Sequence, residues 1–141
     1  MSETPPTAAW SRRVAREHLV PLFEWCGFHP DPSAILVGRF NDDLGRTYWK
    51  RGRPIVVLSD ELDGSRIVLW TLIHELTHCS LGSEVEHEDP RWADAVERIG
   101  LLGRGYGLTP AGAALHDHIR RTIDNPEPEA LPPTPPVPGV R

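Results

Sequence analysis

Apolar residues recur at a helical spacing over positions 8–27, the first regular pattern in the chain. The stripe consists of Val14, Leu19, Leu22 and Phe23. Residues three and four apart share one face of an α-helix, so the spacing predicts an amphipathic helix that ends at Gly27. Pro21 lacks a backbone N–H and its ring clashes with the preceding turn, so we expect the helix to be kinked or split there.

Three short segments with strand character follow at 34–40, 46–49 and 54–59. The polar connection at 41–43 and the glycine-containing connection at 50–52 are typical of turns. Pro54 is compatible with this interpretation only at the start of a strand. The pattern therefore predicts a small three-stranded antiparallel sheet.

A long helix is predicted over 65–81, with Asp63 or Ser65 as its N-cap and Gly82 at its end. Its apolar residues surround most of the helix circumference and include Leu69, Trp70, Leu72, Ile73 and Leu76. A helix that is apolar on nearly all sides is buried in the core of a protein. We therefore expect this helix to be the centre of the fold.

Two further helices are predicted after the long one. Asp89-Pro90 and Thr109-Pro110 each place a capping residue before a proline, an arrangement that favours the first turn of a helix. The first of these helices has Trp92, Val96 and Ile99 on one face, and the second runs to about residue 123. A helix, a small sheet and then more helices indicate an α+β fold.

The two ends of the chain differ from the middle. Residues 1–7 are short and polar, and residues 125–141 contain seven prolines. Such segments bury little apolar surface, so we expect a disordered N-terminus, one domain over 8–124 and a proline-rich disordered tail.

Composition and charge narrow the class of protein. The chain of 141 residues has a formal net charge of −5, which disfavours sequence-independent binding to nucleic acid phosphates. It contains neither a run of about 18 apolar residues nor the pattern of a secretory signal, so we expect a cytoplasmic protein without a membrane span. Cys26 and Cys79 are too few for a four-cysteine zinc site, and Cys79 is expected to be a core thiol.

The long helix carries the sequence His74-Glu75-Leu76-Thr77-His78. Histidines four apart lie one helical turn from each other, so both rings can reach a single metal ion. The carboxylate beside the first histidine is then placed to take a proton from a water on that ion. Zinc is the expected metal because it accepts imidazole ligands and keeps a labile water in catalytic sites.

Catalytic zinc usually has three protein ligands, so a third must come from elsewhere. His87 is our first choice because it lies in a loop just before the next helix and can fold back onto the first pair. Glu97, on the following helix, is the main alternative, and Glu84 is the third candidate.

The pattern resembles the SprT-like zinc metallopeptidases over about residues 35–100. The similar elements are the glycine-containing segment 44–49, the apolar segment 54–59, the motif 71–78, and His87 followed by Pro90 and Trp92. The resemblance implies a zincin-like core, Zn²⁺ held by His74, His78 and His87, and a protein or peptide substrate.

Together these features predict a zinc-dependent peptidase in which Glu75 is the general base and acid. The alternative is a non-catalytic, metal-stabilised binding or regulatory module that acts through a protein partner. Tyr106 is a weaker candidate for oxyanion stabilisation, and His116 and His118 are expected to be surface or packing residues. The cations near the predicted hairpin indicate a solvated rim, with an acidic partner or nucleic acid as the alternatives; they are Arg39, Arg46, Lys50, Arg51 and Arg53.

Overall fold

The computed structural model describes residues 8–40, 43–103 and 107–124. The predicted disordered ends, residues 1–7 and 125–141, lie outside these ranges, as does Tyr106. The helices are α1 (Ala8–Val14), α2 (Val20–Trp25), α3 (Ser65–Leu81), α4 (Pro90–Ile99) and α5 (Pro110–Asp124). The strands are β1 (Ala34–Gly38), β2 (Gly45–Lys50) and β3 (Arg53–Ser59). The α+β class is confirmed.

The predicted N-terminal helix is split, as the proline indicated. A π-helical segment, Ala15–Leu19, joins α1 to α2 and ends two residues before Pro21. Because a proline nitrogen cannot donate to the carbonyl four residues earlier, the widened turn relieves a clash that a regular α-helix would contain.

The sheet is mixed, so the antiparallel prediction was wrong. The strand order is β1-β3-β2, with β3 parallel to β1 and antiparallel to β2. Only β2 and β3 form a hairpin, through a tight turn at Arg51-Gly52. Strand β3 therefore lies between the two earlier strands and pairs with both of them. Three consecutive strand-like segments in a sequence do not specify the order of the strands in the sheet, because that order depends on long-range packing.

Helix α3 has the bounds that the sequence predicted and lies in the core. It contacts α1, β2, β3, α4 and α5. Its fully buried residues include Val68, Leu69, Leu72, Ile73 and Leu76. Gly82 ends the helix as expected, but the N-cap is Gly64 rather than Asp63 or Ser65, and no side chain caps that end. A positive φ of 103° at Gly64 explains the difference, because a residue with a side chain is strained there.

The caps of the last two helices match their predictions. The Asp89 side chain accepts a hydrogen bond from the backbone N–H of Arg91, and the Thr109 hydroxyl accepts one from that of Gly112. None of the helices in the described ranges combines the length and apolar character needed to cross a bilayer.

Candidate metal centre

Three histidines meet at one point on the molecule. His74 and His78 lie one turn apart on α3, and His87 reaches them from the loop before α4. His87 Nε2 is 2.9 Å from His78 Nε2 and 3.1 Å from His74 Nε2. These three residues, hereafter the histidine triad, form the only group of metal-ligating side chains found among the described residues.

The donor set of the triad fits a metal ion. Three imidazole nitrogens facing one point are a set that borderline metals such as zinc accept. A tetrahedral ion with nitrogen ligands at about 2.0–2.1 Å separates its donors by about 3.3 Å, so small ring movements would suffice to admit it. The structure therefore brings together three residues that can hold a metal ion.

Burial keeps two of these ligands in the form that binds metal. Loss of solvent, reinforced by the neighbouring histidines, lowers the pKa of His74 to about 3 and that of His78 to about 4. Metal ligation requires a deprotonated imidazole nitrogen. Both rings are therefore available as ligands at neutral pH.

Aromatic side chains pack around the triad. Trp92, on the first turn of α4, stacks on the His78 ring at 4.4 Å between centroids. It also makes edge contacts with His74 at 4.8 Å and His87 at 4.7 Å. Trp70, one turn before His74 on α3, stacks on the His74 ring at 5.1 Å. These contacts restrict the orientation of the imidazole planes.

Glu75 lies beside the triad on α3 and is buried, with 5% of its surface exposed. The Thr47 hydroxyl on β2 donates a hydrogen bond to Glu75 Oε1 at 2.7 Å. Burial raises the pKa of Glu75 to about 7, and the Thr47 hydrogen bond partly opposes this rise. Glu75 is therefore a carboxyl group held in place by a strand that contacts its helix.

Strand β2 approaches this part of α3 closely. A Cβ atom at Gly45 would lie 2.8 Å from Thr71 Cγ2 and 3.4 Å from Glu75 Cγ. The glycine therefore permits the strand to pass next to the motif, and Thr47 follows two residues later on the same face. The sequence analysis assigned no role to Thr47, because its partner Glu75 lies 28 positions away and the contact depends on the packing of β2 on α3.

The triad and Glu75 open into one cleft of about 570 Å³. One wall of the cleft is β2, including Thr47 and Trp49, and the opposite wall is the loop that carries Glu86, His87 and Glu88. Thr47, Glu75 and the histidine triad therefore all border the same cleft.

The other sequence candidates lie elsewhere. Glu84 and Glu97 are exposed and do not belong to the triad's ligand group. His116 and His118 are buried packing residues: His116 Nε2 is 2.7 Å from Ser65 Oγ, and His118 contacts His18. Cys79 is a buried free thiol, as expected.

Compared with protein-family models, with curated proteins and with solved structures, the chain matches none at a significant level.

Proposed function

We propose that this protein is a zinc-dependent peptidase with a zincin-like core, of the kind that the SprT-like resemblance implies. The observation that carries the proposal is the convergence of the histidine triad in a cleft that also contains the buried Glu75 carboxyl. Three histidine ligands leave a fourth position for solvent or substrate, which is the pattern of a catalytic zinc site. No further His, Cys, Asp or Glu of the described ranges joins the three.

Each residue of the site has a defined task in this proposal. The triad holds the ion, and Trp92 and Trp70 fix the planes of its rings. When bound, zinc polarises the scissile carbonyl and lowers the pKa of a water molecule. Glu75 accepts the proton of the attacking water and delivers it to the leaving amine nitrogen. Thr47 keeps Glu75 Oε1 oriented through its hydrogen bond.

The shape of the cleft suits an extended peptide. Strand β2 is an edge of the sheet in the described residues, and its residues line the cleft. An edge strand offers backbone donors and acceptors that can pair with a peptide in extended conformation. A peptide bound in this way passes in front of the triad and Glu75.

The direct test is the Glu75→Gln variant. Glutamine is close in size to glutamate but cannot accept the proton, so we expect the variant to fold and bind zinc as the wild type does while peptide hydrolysis falls at least about a hundredfold. Hydrolysis is measured by mass spectrometry on a peptide library of mixed sequence, and zinc by elemental analysis. Equal cleavage by the two proteins would contradict the mechanism, and no cleavage by zinc-loaded wild type would favour a non-catalytic metal-binding module.

The ligand assignment has its own test. His87→Ala removes one of three donors, so we expect its zinc affinity to fall by orders of magnitude in competition with a chromophoric chelator. Glu97→Ala is the matched control because Glu97 was the alternative ligand and lies outside the triad. An unchanged affinity in His87→Ala together with a loss in Glu97→Ala would reverse the assignment.

A further inference from the structure

The tip of the β2–β3 hairpin concentrates positive charge. Lys50 and Arg53 are paired in register across the two strands, and Arg51 and Gly52 form the turn between them. All four residues, hereafter the hairpin tip, are exposed. No ion pair within the described residues involves Lys50, Arg51 or Arg53, whereas the nearby Arg46 is paired with Asp43.

This arrangement is unfavourable for the isolated fold in two ways. Like charges directly opposite each other on neighbouring strands destabilise a sheet. Arg51 has a φ of 52°, in the left-handed region where two-residue hairpin turns favour asparagine, aspartate or glycine. The chain thus places three cations where neutral or turn-forming residues would be more stable. A negatively charged partner would offset the repulsion between the cations.

The hairpin tip directly follows Trp49, the last residue of β2 that lines the cleft, but is not itself part of the cleft lining. Thr47 contacts Glu75. Lys50 lies three residues after Thr47 on the same strand. At about 3.4 Å per residue this places the hairpin tip about 10 Å along the strand from the carboxyl group. The side chains of Arg46, Tyr48 and Lys50 are exposed and share one face of β2.

We propose that the hairpin tip binds an acidic segment of a peptide that lies along β2, three to four residues from the bond beside Glu75. This inference rests on the proposed function, since it names the substrate class of the same cleft. A carboxylate side chain of an added strand would lie beside Lys50 as its cross-strand neighbour, and Arg53, one strand further away on β3, would add its charge to the same end of the hairpin.

Charge favours a peptide over a nucleic acid as the partner. The chain has a net charge of −5, and the opposite wall of the cleft presents Glu86 and Glu88. A continuous phosphate backbone in the cleft would be repelled by that wall. A peptide can place carboxylates at the hairpin tip and neutral or basic residues beside the glutamates.

The test measures binding of fluorescent peptides to the zinc-loaded Glu75→Gln protein, which does not consume them. Three peptides share one sequence and carry glutamate, glutamine or lysine three and four residues to either side of the centre. We expect the glutamate peptide to bind about tenfold more tightly than the glutamine peptide at low salt. Added salt should reduce the difference because the cations are exposed.

The hairpin variant Lys50→Glu/Arg53→Glu is expected to reverse the preference toward the lysine peptide. Arg12→Glu/Arg121→Glu is the matched control, because both arginines are exposed outside the cleft and the change of net charge is the same. Lys50→Gln/Arg53→Gln removes the like-charge pair, so it keeps the test valid if the glutamate variant fails to fold. Only Arg51 remains charged at the hairpin tip of that variant, so the preference for the glutamate peptide over the glutamine peptide should fall severalfold.

The outcomes separate this inference from the proposed function. The inference is overturned if the glutamate and glutamine peptides bind equally to the Glu75→Gln protein, even if the wild type cleaves peptides. It is also overturned if the control variant loses the preference as fully as the hairpin variant does. Charge-dependent binding that the hairpin variants abolish supports it even if the wild type cleaves nothing. Tight binding of a single-stranded oligonucleotide, lost in the hairpin variants and without any peptide preference, would replace the peptide by a nucleic acid.

Discussion

At the scale of single residues, Trp92 touches every member of the histidine triad. Its ring lies 4.4–4.8 Å from the three imidazole centroids. Residues that orient metal ligands commonly change metal affinity 10–100-fold when they are replaced. The indole restricts the rotation of the three imidazole rings in the folded protein. Part of the entropy cost of ordering them is therefore met on folding and not on metal binding.

We therefore expect Trp92→Ala to weaken zinc binding about tenfold, and Trp92→Phe to retain part of the affinity because a smaller ring keeps some of the contacts. Chelator competition measures the affinity, and the visible spectrum of the Co²⁺-substituted protein reports the ligand geometry. Trp25→Ala is the control, since Trp25 is 59% exposed. Equal zinc affinities and Co²⁺ spectra in Trp92→Ala and wild type would show that Trp92 does not position the ligands.

At the scale of elements, the closest approach in the site is that of β2 to α3 at Gly45. A methyl group there would overlap Thr71 Cγ2, which belongs to a buried β-branched residue with little room to move. We expect Gly45→Ala to lower the free energy of unfolding by about 1–3 kcal/mol, as overpacking of a core does. Urea unfolding measures the change.

Gly107→Ala provides the control for that experiment, because within the described part of the chain no atom beyond its chain neighbours lies within 4 Å of the added Cβ position. It should change stability by no more than about 0.5 kcal/mol. Since Glu75 Cγ also lies near the Gly45 position, Gly45→Ala should reduce hydrolysis as well as stability. A variant with wild-type stability would mean that β2 can move away from α3 at low cost.

The elements also show which parts of the fold sequence could predict. The bounds of α3 and the cap at Asp89 follow from local rules, namely hydrophobic spacing, glycine at a helix end and proline at a first turn. The order of the strands does not, because the parallel pairing of β1 with β3 depends on contacts between residues about twenty apart. The N-cap is Gly64 instead of the expected Asp63 or Ser65. Its φ of 103° is a backbone conformation that the amino-acid pattern does not predict.

In the candidate site, too, local sequence predicts some positions and long-range packing determines the others. His74, Glu75 and His78 could be identified because one helix fixes their relative positions. His87 could be only one of three candidates for the third ligand, because a loop determines its position. Thr47 received no role, because its hydrogen bond to Glu75 joins residues 28 positions apart and depends on how β2 packs on α3.

At the scale of the whole molecule, buried histidines connect the two ends of the described chain. His18, in the π-helical segment, contacts His118 of α5 with 5.9 Å between ring centroids. Burial lowers the pKa of His18, and the nearby His118 lowers it further, while Glu17 opposes the shift. Burial also lowers the pKa of His116, which bonds to Ser65 at the start of α3.

The fold should therefore lose stability in mild acid. His18 has an ordinary pKa of 6.5 when unfolded and a lower pKa in the fold, so between these two values the unfolded chain binds more protons. The contribution of the neutral His18 ring to the free energy of unfolding is complete above pH 6.5. It declines as the pH falls toward the pKa of His18 in the fold, by at most about 1.4 kcal/mol per pH unit. Urea unfolding at pH 7.5, 6.5, 5.5 and 5.0 in the presence of a chelator measures the decline.

His18→Gln separates this effect from those of the other histidines. The variant lacks the titrating ring, so its stability should fall less steeply below pH 6.5 than that of the wild type, although it is less stable at pH 7.5. His29→Gln controls for the loss of an imidazole, because His29 is exposed. Parallel pH profiles for wild type and His18→Gln would mean that protonation of this ring does not loosen the contact between the N-terminal segment and α5, and that acid acts on the fold through other groups.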